Sequence, residues 1–255
     1  MITFDIKDLY VNIPIHETMN TIKTKLQQTN NTMITHQIIT LIRTVLLQDY
    51  FTFQQKIYQL EQGISMGSPI SSIIAEIFLQ NYEDKYIKQF LESKSIIFYA
   101  RYVDDILIIF DKTKTNPQNI NTYINKIHNN LKLNPTYEKH NSINYLDLTI
   151  RRQHNKFNID IYRKPTATDT TISFFSNHPI EQKMAAFWSY LNRMHSLPLS
   201  QNKKQKEWET IQVIAKNNNF PKHLIQKLNR KIQQKTKNTQ PNEKTTKNMD
   251  YFHLP

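Results

Sequence analysis

The chain has 255 residues, no cysteine and a formal net charge of +12. Without cysteine it can form neither a disulfide nor a cysteine-ligated zinc site, and its apolar runs are too short for a membrane span or a signal peptide. We therefore expect an intracellular, soluble protein of one or two structural units, whose positive charge indicates a polyanionic partner. From Lys203 to Lys247 there are 12 Lys and Arg against three acidic residues. A basic binding surface and a solvated, partly disordered end would both give that pattern.

The first third of the chain alternates predicted strands and helices. Ile2 to Ile6 predicts a strand that carries Asp5 near its end. Pro14 then opens the first of two helices, whose apolar residues recur at helical spacing. These residues are Ile15, Met19, Ile22 and Leu26 in the first helix and Ile34, Ile38, Leu41 and Val45 in the second. The aromatic, β-rich segment from Tyr50 to Leu60 predicts a hairpin.

Both glycines of the chain, Gly63 and Gly67, fall in the segment from Gln62 to Ser71. Two glycines so close together indicate a sharp bend or a close approach of the backbone to another group. An ordinary loop before a helix would need only one of them. The next helix is expected to begin with a Ser68 side-chain cap and Pro69 in its first turn. Its apolar stripe is Ile70, Ile73, Ile74, Ile77 and Phe78.

The segment from Ile96 to Phe110 predicts a β-hairpin with a tight centre. Two apolar runs rich in Ile, Phe and Tyr flank the residues from Arg101 to Asp105, so Asp104 and Asp105 stand at the bend. Adjacent aspartates are also ordinary turn residues. Their chemistry therefore depends on which other residues lie close to them.

The rest of the chain predicts one more helix and hairpin before it becomes helical. Asn116–Pro117 starts a helix that runs through Leu131, and alternating apolar residues from Leu146 to Ile161 predict a hairpin with a bend at Gln153 to Lys156. Three helical stripes follow, and we expect little order from Thr236 onward. The stripes are Ile180, Met184, Phe187, Leu191 and Met194; Trp208, Ile211 and Ala215; and Leu224, Leu228 and Ile232. This order indicates an α+β unit with an antiparallel sheet, followed by a small helical unit.

Three segments together resemble the reverse transcriptases. Tyr102-Val103-Asp104-Asp105 is the motif by which that family is recognised, and Phe4 to Tyr10 and Gln62 to Ser71 match two further motifs of the family in the right order. The resemblance implies the palm of a right-hand polymerase, with an antiparallel sheet, followed by a small helical thumb. It divides the chain into a palm at 1–162, a thumb at 163–235 and a basic tail at 236–255.

The resemblance also implies a role for individual residues. The catalytic carboxylates would be Asp5, Asp104 and Asp105, which with Ile6 would hold two Mg²⁺ ions, or Mn²⁺ in their place, for two-metal nucleotidyl transfer. The nucleotide and template would be contacted by Ile6, Tyr10, Gln62, Gly63, Met66, Gly67, Ser68 and Pro69, with Tyr10 sensing the ribose 2′-hydroxyl. Arg163 and Lys164 would hold nucleic-acid phosphates. Each residue could instead have a purely structural role. Asp5 could cap a turn, Tyr10 could belong to the core, and Arg163 and Lys164 could be solvated surface charges.

Within that family, the chain is most similar to Penelope-like retroelements. The similarity lies in Phe4 to Pro14, Met66 to Ser71, Asn144 to Asp147, Arg163 to Thr166 and Ser176 to Pro179. It implies a nuclear RNA-directed DNA polymerase that acts on an RNA template, a DNA primer and dNTPs, without a membrane partner. Telomerase catalytic subunits are the nearest competitor within the class.

The chain begins four residues before Asp5, so we expect a partial protein that lacks the fingers segment of the family. An inactive nucleic-acid-binding remnant is the main alternative, and an RNA-directed RNA polymerase is a weaker one. The oligomeric state is open.

Overall fold

A computed structural model describes residues 1–29, 31–92, 95–154 and 156–239. The chain forms two compact units, of which the first is Met1–Leu146 and the second begins at Asp147. No helix in these ranges combines the length and the apolar composition that crossing a bilayer requires.

The first unit contains a four-stranded antiparallel sheet, a separate hairpin and helices. Its strands are β1 (Ile2–Ile6), β2 (Tyr50–Phe53), β3 (Lys56–Gln59), β4 (Ile96–Tyr102), β5 (Asp105–Phe110), β6 (Leu133–Tyr137) and β7 (Ser142–Tyr145). Its helices are α1 (Leu9–Asn12), α2 (Ile15–Thr29), α3 (Thr32–Leu47), α4 (Ser71–Tyr82), α5 (Lys88–Glu92) and α6 (Pro117–Ile127), and a π-helical turn (Glu83–Ile87) joins α4 to α5. The order in the sheet is β4-β5-β1-β6, and β2 pairs with β3.

One hydrophobic core joins the sheet to its helices. Phe4 of β1 and Ile108 of β5 are buried with Phe78 of α4 and with Ile120 and Ile124 of α6. The core residues of each strand, such as Ile2, Phe4 and Ile6 of β1, recur at every second position, and those of the helices recur at every third or fourth. This spacing puts one face of each element in the core. The predicted α+β fold with an antiparallel sheet is confirmed.

The apolar stripe predicted for α3 is wrong in its orientation. Leu41 is 66% exposed, whereas Thr35 and Leu46 are buried and Ile39 packs against the core. Because α3 carries apolar residues around most of its circumference, spacing alone could not decide which side faces inward.

Strand β6 was not predicted from the sequence. Its residues read Leu-Asn-Pro-Thr-Tyr, and a proline usually counts against a strand. β6 pairs with β1 and lies at the edge of the sheet, with Pro135 opposite Phe4. An edge strand tolerates proline because one side of its backbone needs no ladder partner. The preceding helix accordingly ends at Ile127 rather than continuing through Leu131.

The second unit consists of a hairpin and three helices. The elements are β8 (Leu148–Gln153), β9 (Lys156–Ile161), α7 (Ile180–Ser196), α8 (Gln201–Asn217) and α9 (Lys222–Thr239). Phe187, Leu191, Ile211, Ile225 and Ile232 belong to its core. The predicted stripes are correct only in part, because Ile180 is exposed and Ile225, instead of the predicted Leu224, is buried. The unit begins earlier than the predicted boundary at 162/163 because the hairpin is bonded to the helices. The Lys203 ammonium, for example, donates to the Ile159 carbonyl at 2.9 Å.

The predicted loss of order at Thr236 is too early. Helix α9 continues to Thr239, and the Thr236 hydroxyl donates to the Ile232 carbonyl at 2.6 Å. The rest of the predicted tail, 240–255, lies outside the described residues.

Candidate active site

Asp5 and the Asp104–Asp105 pair meet at one end of the four-stranded sheet. In the antiparallel register of β1 and β5, Asp5 lies directly opposite Asp105. The Ile6 amide donates to the Asp104 carbonyl at 2.9 Å, which ties the bend to the end of β1. The Ile6 side chain is buried in the core, so only its main chain could contact a ligand. The three acidic residues selected from the sequence are therefore neighbours in the fold.

The backbone of the bend is strained at Val103. Tyr102 pairs with Asp105, which leaves Val103 and Asp104 as a two-residue loop between β4 and β5. The φ angle of Val103 is 54°, in the left-handed region that β-branched residues rarely adopt. Such a conformation costs on the order of 1–3 kcal/mol and persists only where the surrounding structure enforces it.

The donor atoms at the bend suit a hard divalent cation. Asp5 is exposed, and Asp104 and Asp105 are half-buried. In the described part of the chain, no three or more His, Cys, Asp or Glu side chains are grouped so as to hold a metal by themselves. Mg²⁺ usually binds one or two carboxylates and takes its remaining ligands from water and substrate phosphates. These carboxylates therefore fit an ion that a nucleotide would help to bind, and not a complete protein cage.

Tyr145 contacts the same bend, although the sequence did not single it out. Its hydroxyl donates to the Asp105 carbonyl at 3.4 Å. Burial, and then the charge of Asp105, raises the pKa of Tyr145 to about 12. The phenol therefore stays protonated at neutral pH and can act as a donor to the bend.

Gly63 is required by the protein's own backbone. Its φ angle is +75°, and a Cβ at this position would lie 2.3 Å from the Val11 carbonyl oxygen. The adjacent Ile64 amide donates to the Tyr10 carbonyl at 2.8 Å, so the glycine loop is fastened to α1. The expected close approach is present at Gly63, and its partner is α1. Tyr10 itself is half-buried against the core.

Gly67 has no comparable internal requirement. A Cβ there would meet only the Ser65 hydroxyl, at 3.7 Å. Gly67 is exposed, as are three other residues selected in this loop, Gln62, Met66 and Pro69. This part of the loop leaves open main-chain surface that a ligand could approach closely.

The predicted helix start at Ser68 is wrong. Helix α4 begins at Ser71, its N-cap residue Ile70 makes no side-chain cap, and the buried Ser68 hydroxyl has no hydrogen-bond partner. The Ser71 amide instead donates to the Ser68 carbonyl at 3.2 Å. A tight turn therefore takes the place of the expected cap before α4.

An arginine inside β4 has acidic partners that the sequence did not indicate. The Arg101 side chain is 7% exposed and lies between Glu76 of α4 and Glu83 of the π-helical turn. Hydrogen bonding by Arg101 lowers the pKa of Glu76, so that this half-exposed carboxylate stays ionised. The signal in the sequence was a charged residue within an apolar strand run, which demands a buried partner.

In the second unit, the two cations selected from the sequence differ in their surroundings. Lys164 is exposed, whereas the Arg163 guanidinium donates to the buried Glu207 carboxylate at 2.5 Å. Arg163 also lies over the Tyr190 ring, 5.6 Å from its centroid. The guanidinium of Arg163 thus has a structural partner, and the phosphate contacts of both residues stay predictions.

Helix α9 carries cations that the prediction did not single out. Lys227, Arg230 and Lys231 are exposed and lie on one side of the helix at spacings of three and four. From Lys222 to Thr239 there is no acidic residue. The absence of Asp and Glu over a whole amphipathic helix was the signal that could have found this basic face.

Comparison with known proteins is consistent with this geometry. Residues 1–156 match the family described as "Reverse transcriptase (RNA-dependent DNA polymerase)", and residues 170–230 match the "Animal helix-turn-helix domain". No curated protein matches the chain.

Telomerase structures share the fold. A telomerase from Candida albicans in complex with a fragment of telomeric RNA has a TM-score of 0.59 at 12% identity, over 93% of this chain and 40% of that one. Apo telomerase from Candida tropicalis has a TM-score of 0.52 at 14% identity, over 91% of this chain and 45% of that one. This chain thus spans less than half the length of those telomerases.

An antiparallel sheet with acidic residues at the β1–β5 end, packed against helices and followed by a helical unit, is consistent with the palm and helical part of a polymerase. The match to residues 1–156 makes the assignment specific. The chain belongs to the reverse transcriptase family, whose members generally use divalent metal ions.

Proposed function

We propose that this chain is the palm and thumb portion of an RNA-directed DNA polymerase, which transfers nucleotides from dNTPs to a primer 3′-hydroxyl. The observation that carries the proposal is the register of the sheet, which sets Asp5 opposite Asp105 and bonds Ile6 to Asp104. Acidic groups from two strands converge there. Two-metal phosphoryl transfer requires such convergent carboxylates.

Asp5, Asp104 and Asp105 would hold Mg²⁺, with Mn²⁺ as a substitute. Bound there, the two ions would supply activation of the 3′-hydroxyl and neutralise charge on the triphosphate. The remaining groups would position the substrate. The open main chain at Gly67 would lie against the nucleotide or template, and Tyr10, attached to the loop through Ile64, would face the ribose.

The basic face of α9, formed by Lys227, Arg230 and Lys231, would hold the template–primer duplex by its phosphates. Binding to phosphates does not depend on the base sequence of the nucleic acid. It weakens as the salt concentration rises, because salt cations compete with the Lys and Arg side chains for the phosphates. Lys164 would add to this surface. Helix-turn-helix proteins place the second helix of the motif against a duplex, and the helix-turn-helix match ends within α9.

The duplex contact predicts a change in salt dependence. The logarithm of the affinity falls as the logarithm of the salt concentration rises, with a slope of roughly −0.9 for each phosphate contact. Changing Lys227, Arg230 and Lys231 together to Gln should therefore make this slope less steep by about 2–3. Fluorescence anisotropy on an RNA–DNA duplex would measure it. The matched control changes three exposed lysines of the first unit, Lys23, Lys25 and Lys85, to Gln. An equal loss in the control would show a general charge effect and contradict the assignment to α9.

The motif resemblances favour a Penelope-like retroelement as the source of the chain. They also favour a nuclear location for its activity. Support comes from the Leu9-Tyr10 to Asn12-Ile13-Pro14 segment and from Arg163 to Thr166. The main rival is a remnant that binds nucleic acid without polymerising.

Primer extension on an RNA template with Mg²⁺ and dNTPs would test the polymerase. Wild type should extend the primer, and Asp104→Asn should lower the rate by about 10³-fold or more, because an essential metal ligand is lost. Asp84→Asn, the same change at an exposed residue of the π-helical turn, should keep the rate of wild type. Full activity of Asp104→Asn would refute the metal assignment. Tight duplex binding by wild type without extension would favour the remnant, and preference for ribonucleotides would favour an RNA polymerase.

A further inference from the structure

Arg101 immediately precedes the carboxylate bend and uses its whole guanidinium group. Its Nε donates to Glu83 at 2.6 Å, and its Nη2 donates to Glu83 at 3.0 Å and to Glu76 at 2.9 Å. Its Nη1 donates to Glu76 at 2.9 Å and to the Val103 carbonyl at 3.2 Å. Five hydrogen bonds thus match the five N–H groups of an arginine.

The partners of Arg101 come from the helix that follows the glycine loop. Glu76 lies in α4, and Glu83 begins the π-helical turn that continues it. π-Helical turns are rare and occur frequently at functional sites. Here the turn brings Glu83 within reach of both Arg101 and the Tyr99 hydroxyl, which donates to Glu83 at 2.7 Å. The cluster therefore connects the carboxylate bend to the helix that carries the loop.

The contact with Val103 acts on the strained residue itself. The left-handed backbone of Val103 is unfavourable for a β-branched residue and needs an external restraint. Arg101 supplies a charged donor to the Val103 carbonyl, and the Ile6 amide supplies a donor to the next carbonyl, that of Asp104. The bend is thus held from two sides, by α4 through Arg101 and by β1 through Ile6.

A lysine could not replace this arginine. The guanidinium is a rigid, planar fork that binds two carboxylates edge-on, whereas an ammonium is a point charge with three donors. With lysine, either a carboxylate or the Val103 carbonyl would lose its donor. Glu83, whose side chain is 14% exposed, would then carry a poorly compensated charge.

We propose that Arg101 is a positioning residue that holds the Asp104–Asp105 bend in its metal-binding conformation by fastening it to α4 and the π-helical turn. The inference rests on the proposed polymerase function and assigns no contact between Arg101 and substrate. It predicts that losing the fork weakens metal binding at the bend more than it weakens duplex binding.

The test compares Arg101→Lys with Arg193→Lys, a matched change at a largely buried arginine of the second unit that pairs with Asp147 and Glu207. Mn²⁺ affinity of the chain without nucleic acid is measured by electron paramagnetic resonance, with Asp104→Asn marking the signal of the bend. Arg101→Lys should weaken this affinity by about 10–100-fold, as changes next to metal ligands do. Its kcat should fall while duplex affinity stays within about twofold of wild type. Arg193→Lys should leave the Mn²⁺ affinity, kcat and duplex affinity as in wild type.

Wild-type Mn²⁺ affinity in a folded Arg101→Lys variant would overturn the inference, as would a wild-type chain that binds no Mn²⁺ at the bend. If Arg101→Lys fails to fold by circular dichroism, Glu76→Gln decides, since it removes one half-exposed partner and leaves Glu83 in place. This variant should weaken Mn²⁺ binding by about 3–10-fold, a smaller loss than that expected for a whole positioning side chain. An unchanged affinity in Glu76→Gln would overturn the inference.

Failure of the polymerase proposal gives a different result. A wild-type chain that binds Mn²⁺ at the bend but never extends a primer would refute the enzyme. Arg101→Lys would still weaken Mn²⁺ binding, and the positioning role would stand.

Discussion

The two units contain ionic clusters of opposite composition. In the first, one arginine lies between two glutamates, Arg101 with Glu76 and Glu83. In the second, the buried Glu207 lies between two arginines, Arg163 at 2.5 Å and Arg193 at 3.9 Å, and Arg193 also pairs with the exposed Asp147 at 2.6 Å.

The same chemical groups give opposite pKa shifts in the two clusters. Hydrogen bonds from Arg101 lower the pKa of the half-exposed Glu76. Burial raises the pKa of Glu207 despite the opposing charge of Arg163 and Arg193. The Arg193 Nε has no hydrogen-bond partner, so the second cluster lacks the complete fork geometry of the first. The number of opposite charges therefore predicts less than the geometry of the hydrogen bonds and the depth of burial.

The largest expected difference is in the cost of removing an arginine. Arg101→Met should lower the free energy of unfolding by about 3–5 kcal/mol, because two carboxylates lose a fully bonded, buried partner. Arg163→Met should cost about 1–2 kcal/mol, since that side chain is 30% exposed, a partly exposed pair contributes less, and Glu207 can become protonated. Urea unfolding followed by circular dichroism would measure both. Equal losses would mean that the two clusters stabilise their units alike.

A second difference concerns residues with strained backbone, one in each unit. Val103 and Asn219 both have positive φ angles, 54° and 64°, but asparagine tolerates this region far better than valine. Val103→Gly should therefore raise stability by up to about 1 kcal/mol, whereas Asn219→Gly should change it by a few tenths. Thermal unfolding would show the difference as a rise in Tm for Val103→Gly alone. Destabilisation by Val103→Gly would mean that the valine side chain contributes more than its backbone costs.

The smallest effect is a difference in pH dependence. Glu76 has a lowered pKa in the folded state, so its contribution to stability is present above the ordinary value of 4.5 and is lost as pH falls below it. Glu207 has a raised pKa, so its contribution is complete below 4.5 and is lost as pH rises through the raised value. Glu76→Gln should thus lose more stability relative to wild type at pH 6 than at pH 3, and Glu207→Gln the reverse. Denaturant titrations at both pH values would measure this, and parallel profiles would contradict the opposite signs.

Local patterns allowed much of the fold to be predicted. The hairpin of β4 and β5, the helices α2, α4 and α6 and the three helices of the second unit follow from apolar spacing, which depends on neighbours in sequence. The prediction failed where an element depends on distant partners. β6 is a strand only because β1 offers it an edge, and α3 turns Leu41 outward because the core lies on its other side.

The candidate site divides in the same way. Asp104 and Asp105 stand at a bend that their own sequence predicts, and the family resemblance added Asp5. The register that sets Asp5 opposite Asp105 required the pairing of β1 with β5. From the sequence, the two glycines could not be assigned different roles. In the fold, Gly63 packs against the Val11 backbone, whereas Gly67 has open space around its Cα.

By itself, the sequence determined the periodic elements, the acidic bend and the family, because these depend on residues close together in the chain. Only the tertiary structure decided how the bend is held. Arg101 reaches Glu76 and Glu83 across 25 and 18 positions of sequence, through a π-helical turn that no periodicity predicted. Such contacts arise when packing brings charged groups out of water and leaves them no partners except each other.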